Sequence, residues 1–253
     1  MERYEYKQPR KKRQRKTGKR RGGAVVLLIA AGLAMVFGVS LFFKVANIEV
    51  AGENRCAKTD VIKASGLQLG DSMLFYGRKS AIRQITANQP YVDTASIKMK
   101  NLNTIEIRIT ECEPAAFIVS DGAFWIIDVK GKLLEKRLNR PEFTEIKGLK
   151  LLVPIEGTAA AVGDTDHFKL APLLYVLELF SEEGIEASEI TYDTVSGISF
   201  RYQKRFTVKL GVPAALDMKL RHLPEVVESL EPNAAGTIDL TDVENKKSRF
   251  IPD

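Results

Sequence analysis

The chain has 253 residues, with 38 Lys+Arg against 32 Asp+Glu and a formal net charge of +6. Apolar residues at 45% and charged residues at 28% exclude wholesale disorder and collagen-like repeats. Two cysteines and two histidines argue against a disulfide framework and most metal sites. The basic balance invites a nucleic-acid partner, but its distribution does not. Residues 1–21 hold eleven basic and two acidic residues, a net +9, so residues 22–253 carry −3.

Gly22 to Phe43 follows, 22 residues without a charge between Arg21 and Lys44. At 1.5 Å per residue such a helix spans roughly 33 Å, the thickness of a bilayer's hydrocarbon core. A cleavable signal peptide would have a shorter apolar core and small residues at a cleavage site; Lys44-Val45-Ala46 supplies neither. The expectation is a single transmembrane helix, residues 22–43, with the basic tail 1–21 in the cytoplasm and the bulk outside. The tail then sets topology and touches anionic lipid headgroups. It lacks the aromatic interleaving of a nucleic-acid binder, so no nucleic acid is expected.

Asn47 to Ala51 alternates as a strand, with Ile48 and Val50 on one face and a turn at Gly52 and Asn54. A short helix over Asp60–Ser65, with Thr59 as cap, stops at Gly66. A second helix over 78–88, around Ala81, Ile82 and Ile85, ends before Pro90. Two period-2 strands then place Ala95, Ile97 and Met99, and Ile105, Ile107 and Ile109, inward, with a hairpin at Asn101-Leu102-Asn103. The order is β-α-α-β-β, a small α+β module over residues 44–113.

Beyond Pro114 the pattern predicts a mixed β-rich domain with two helices, residues 114–242. Its strands are expected at Ala116–Val119, Phe124–Asp128, Leu133-Leu134, Lys150–Gly157, Glu189–Asp193, Gly197–Tyr202, Phe206–Gly211 and Gly236–Thr241. Asp166 to Glu183 predicts a helix with an apolar stripe at Phe168, Ala171, Leu174, Leu177 and Leu179-Phe180. A second helix, roughly Ala214 to Glu231, contains Pro224, which suggests a kink or two pieces. Residues 243–253 read as a polar C-terminal tail.

The region expected outside the membrane offers few groups for catalysis. Cys112 and His222 are the nominal nucleophile and base of a membrane-anchored cell-wall enzyme, but no supporting motif surrounds them. Ser-x-x-Lys, Gly-x-Ser-x-Gly and His-Glu-x-x-His are absent. Asp164 and Asp166 suit a helix N-cap better than a metal. No catalytic residue, cofactor or metal is expected. Cys56 and Cys112 are open to a disulfide or to remaining free thiols. The remaining reading is recognition through an open sheet edge, for which the last predicted strand is the candidate: Thr237, Ile238, Asp239, Leu240 and Thr241.

A resemblance sharpens this. Val50-Ala51-Gly52-Glu53-Asn54, Gly66 to Gly70, Pro90-Tyr91-Val92, Thr104-Ile105-Glu106-Ile107 and Glu111-Cys112-Glu113-Pro114-Ala115 resemble the POTRA module of the FtsQ/DivIB cell-division family. Gly236-Thr237-Ile238-Asp239-Leu240 is similar to that family's closing Gly-x-Ile-Asp-Leu segment. Leu102-Asn103 stands where the family usually has Pro-Asn or Pro-Ser. The resemblance implies a non-catalytic, single-pass scaffold of the divisome, concentrated at the septum and linked to septal peptidoglycan synthesis. It implies that the terminal strand engages DivIC/FtsB-type and FtsL-type division proteins. A POTRA-bearing translocation factor is the other alternative, but it would carry several such modules and a membrane barrel.

Overall fold

The computed structural model describes residues 19–52, 54–243 and 247–253. The basic tail up to residue 18 therefore lies outside the described residues. Helix α1 (Lys19–Phe42) takes in nearly all of the uncharged run. Every position from Gly23 to Val36 is exposed, so this stretch of the helix is apolar all round and packs against none of the described residues. Among the described residues no helix is long and apolar enough to cross a membrane; side chains are described for only part of α1.

The first module contains β1 (Asn47–Ala51), α2 (Lys58–Ser65), α3 (Arg78–Asn88), β2 (Val92–Asn101) and β3 (Thr104–Glu111). Its sheet has the order β1-β3-β2, with β1 parallel and β2 antiparallel to the central β3. A parallel pair needs a long crossover, and α2 and α3 supply it. Ile105, Ile107 and Ile109 alternate onto one face and are fully or nearly buried, beneath Val61 of α2 and Ala81 and Ile85 of α3. Burying each isoleucine contributes about 1.5–3 kcal/mol. Two expectations are corrected. The cap of α2 is Ala57, with no side-chain hydrogen bond, so Thr59 lies inside the helix. Met99 is 49% exposed although it stands opposite buried Ile105, because it lies near the open end of edge strand β2.

The second module holds β4 (Pro114–Ser120), β5 (Ala123–Asp128), β6 (Leu133–Arg137), β7 (Thr144–Lys147), α4 (His167–Glu183), β8 (Ala187–Asp193), β9 (Gly197–Tyr202), β10 (Phe206–Gly211), α5 (Leu216–Glu228), β11 (Gly236–Asp242) and β12 (Lys247–Pro252). These strands form one nine-stranded sheet, order β12-β11-β10-β9-β8-β7-β4-β5-β6. The fold is α+β: a POTRA-like module followed by a β-rich module with two helices. Leu173, Val176, Leu177 and Phe180 of α4, and Leu216, Leu220 and Leu223 of α5, pack with the sheet side chains in one core.

Four features differ from the pattern-based expectation. The stripe of α4 is rotated: Leu173 and Val176 are buried, whereas Phe168 and Ala171 are exposed. Pro224 lies within one continuous helix rather than dividing it. Lys150–Gly157 forms no strand. Val153 has φ +41° and Pro154 lacks an N–H, so the segment keeps only a Leu151–Val162 bridge, while β7 occupies the sheet. Finally, residues 243–253 are not a polar tail. Within them β12 pairs antiparallel with β11, Ile238 opposite Phe250 and Asp239 opposite Arg249. Thr237–Thr241 therefore sit in an interior strand between β10 and β12, and the outer edge belongs to β12. Residues 244–246 lie outside the described residues.

Candidate functional site

The terminal hairpin is built on β10, whose Phe206–Lys209 pair in parallel with Gly236–Asp239 of β11. Ile238 and Leu240 point into the core with no exposure, which anchors β11 and leaves Thr237, Asp239 and Thr241 on the opposite face. Asp239 Oδ1 accepts from the Thr241 N–H at 3.0 Å and its hydroxyl at 2.7 Å. Burial pushes the Asp239 carboxyl up, but those two bonds, with Lys209 and Arg249 nearby, outweigh it and hold the group below the usual carboxylate range. Phe250 of β12 meets Phe206 edge-on, centroids 6.2 Å apart, which clamps the outer strand to the core. The Asp253 N–H donates to Ala235 O at 3.2 Å. Antiparallel alternation then makes Thr237–Ile251 and Asp239–Arg249 the bonded pairs and turns the Phe250 N–H and C=O outward. Sequence reading missed this strand; its one local signal is the short apolar pair Phe250-Ile251.

The second feature is the junction between modules. The Cys112 N–H donates to Tyr91 O at 2.7 Å, the Tyr91 hydroxyl to Glu135 at 2.6 Å, and Lys132 Nζ to Val92 O at 2.7 Å. Lys130 Nζ lies 2.8 Å from Asp93. Cys112, Ile126 and Leu134 form a small buried cluster, flanked by Tyr91 and Phe143. A cavity of about 510 Å³ opens beside it, lined by Glu111, Cys112, Asp128, Lys130, Phe180 and Glu186 among others.

Neither thiol has the environment of a nucleophile. Burial, then the Asp128 charge, pushes Cys112 up to about 12, and burial, then Glu111, pushes Cys56 to about 11. Both are free cysteines. His222 lies on α5 with Nδ1 2.9 Å from Glu225, while Cys112 belongs to the junction cluster. Among the described residues no group of three or more His, Cys, Asp or Glu is arranged to hold a metal.

Glu111, at the end of β3, accepts the N–H groups of Asn54, Arg55 and Cys56 at 2.8–3.0 Å. Burial pushes this carboxyl up, but the three N–H groups outweigh it and leave it below the usual range. A depressed carboxyl contributes stability above its unfolded value and loses it as pH falls through the folded value. Glu111→Gln should therefore lower unfolding free energy by about 1–2 kcal/mol near neutral pH. The gap to the parent chain should close as pH is lowered through the acidic range in urea titrations; a gap that stays constant would assign the effect to shape rather than charge.

Comparison with known proteins agrees with this order of parts. The FtsQ-type POTRA domain model matches residues 43–111, and the FtsQ/DivIB C-terminal domain model matches 116–241. A cell division protein DivIB of Clostridium botulinum (strain Loch Maree) is 32% identical over 111 residues, 44% of this chain and 41% of that protein. A DivIB of C. botulinum strain Hall is 29% identical over 212 residues, covering 79% of each. A cell division protein FtsQ of Geotalea daltonii is 25% identical over 231 residues, 86% of this chain and 80% of that one. With both of the family's domains matched in sequence, and relatives aligned through both of them, the chain belongs to the FtsQ/DivIB family of cell division proteins.

Proposed function

We propose that this chain is a non-catalytic scaffold of the division machinery, held in the membrane by α1. It recruits DivIC/FtsB-type and FtsL-type partners through the terminal hairpin of its sheet. The observation that carries the recruitment is the sheet order: β12 is an outermost strand, backed by a β11 whose Ile238 and Leu240 are rooted in the core. Thr237–Thr241 act in this reading as the support on which β12 is presented, and a partner strand pairs with the outward Phe250 N–H and C=O. The raised thiol pKa values, with His222 bonded to Glu225 on α5 and Cys112 in the junction cluster, support a scaffold over an enzyme.

The anchor is supported by the uncharged run and by the all-round exposure of residues 23–36 of α1. The +9 tail then stays in the cytoplasm and both modules lie outside, at the septum, where recruited partners carry out peptidoglycan synthesis. Depletion in the source cell tests the whole reading. Filaments lacking septa are expected; normal division during depletion would discard it.

A further inference from the structure

The first module has five exposed large apolar side chains among its described residues: Leu69, Leu74, Phe75, Met99 and Leu102. They are not scattered. The chain leaves α1 at Phe42 and enters the module almost at once, since Lys44 already forms a bridge with Ser72. The Met73 N–H donates to Phe43 O at 2.8 Å, the Val45 N–H to Asp71 O at 2.9 Å, and the Gly70 N–H to Val45 O at 2.8 Å. Across the pole, the N–H groups of Ala46 and Asn47 both donate to Asn103 O, at 2.8 and 3.1 Å. Leu69, Leu74, Phe75 and Leu102 each stand one or two residues from one of these bonded atoms. Met99 shares a shallow depression with Asn101, Leu102 and Asn103 on the same hairpin.

We infer that this pole of the module is a membrane-contact surface, with Leu69, Leu74, Phe75 and Leu102 seated in the interfacial layer of the outer leaflet. The inference rests on the proposed anchor, and goes beyond it by assigning a lipid contact to the folded module. If the apolar run ends at Phe43, Lys44 marks the edge of the hydrocarbon. One or two residues from a bonded atom is at most roughly 8 Å of chain, so these side chains stay close to residues 43–47, which follow the anchor directly. No linker separates this pole from the end of α1. Their surroundings suit headgroups: Lys44, Arg78, Lys79, Lys98 and Lys100 are exposed there. Of the acidic groups beside them, Glu49 is paired with Lys100 at 2.6 Å and Glu106 with Arg108 at 3.3 Å, while Asp71 accepts the Gln68 N–H at 2.9 Å, which leaves Lys44, Arg78, Lys79 and Lys98 as the basic groups in excess. A partner of this chemistry is an anionic bilayer surface.

The test uses the full chain with Cys56→Ala and Cys112→Ala, reconstituted in phosphatidylcholine vesicles containing phosphatidylglycerol. Single spin labels are placed at Phe75→Cys, Leu102→Cys, Leu33→Cys and Val195→Cys. Positions 75, 102 and 195 are highly exposed, so labelling them leaves the core intact, and Leu69→Cys gives an independent position on the pole. The reading is the ratio of accessibility to oxygen over a water-soluble nickel chelate. Labels at 75, 102 and 69 should show a ratio several-fold above that at 195, approaching that at 33. A lipidic label at 33 with labels at 75, 102 and 69 as aqueous as 195 would overturn the inference while leaving the anchor standing. It would assign the pole to a protein partner instead. An aqueous label at 33 would remove the anchor and the inference together.

Discussion

Phe250→Pro is expected to abolish co-purification of the full chain with a DivIC/FtsB-type partner, whereas Phe250→Ala should retain it. The two variants share one loss, the ring contact with Phe206. They differ in the backbone. The Phe250 N–H faces away from β11, so proline there leaves the β11–β12 bonds in place but deletes the donor offered to an incoming strand. The missing bond and the ring in the path of the partner strand should cost on the order of 3 kcal/mol, roughly a hundredfold in affinity. Pull-down with a tagged partner, beside a near-UV spectrum of each variant, makes the measurement. Equal capture of both variants would show that β12 is not the pairing strand. The same logic explains why Asp239, attractive as a sequence-level target, is a poor probe. It lies between two bonded strands, and proline there would break the sheet itself.

Gly52→Ala should unfold or severely destabilise the first module, by about 2–4 kcal/mol, while Gly70→Ala should cost about 1 kcal/mol. Both glycines have positive φ, +87° and +93°, so both substitutions incur the same left-handed backbone penalty. Only at Gly52 does the added methyl meet an obstacle, the Ile109 carbonyl oxygen at 2.2 Å; nothing lies within 4 Å at Gly70. Ile109 cannot retreat, because its strand β3 is held between β1 and β2 and its own side chain is buried. Urea unfolding of the paired variants isolates the clash from the conformational term. Equal losses at the two sites would mean the turn yields freely, and that Gly52 serves only its dihedral angle.

Local pattern carried much of this fold. The alternation of β1 and β3, the spacing of α3 and its stop before Pro90 are written within windows of about ten residues. Failures occurred where the deciding partner is distant in the chain. Four-residue β7, Thr-Glu-Ile-Lys, has too short a period to declare itself, and exists because β4 and β8 flank it. The Glu111 clamp joins groups more than fifty residues apart. Lys219 lies on the buried face of α5 and donates to Leu210 O at 2.8 Å, though a helical lysine ordinarily signals solvent.

By itself the sequence determined the order of parts: a +9 tail, one uncharged run of 22 residues, a β-α-α-β-β module and a second β-rich module. Charge distribution and hydrophobic period are properties of neighbouring residues, so they survive without coordinates. Only the tertiary structure decided which strand closes the sheet, because an edge is defined by the partner a strand lacks. It moved the candidate partner surface from Thr237–Thr241 to β12. It also brought the neighbours of Leu69, Leu74, Phe75 and Leu102, separated by up to 33 positions, against residues 43–47, which follow α1. That convergence follows from backbone hydrogen bonds across the module's pole, and no local pattern contains it.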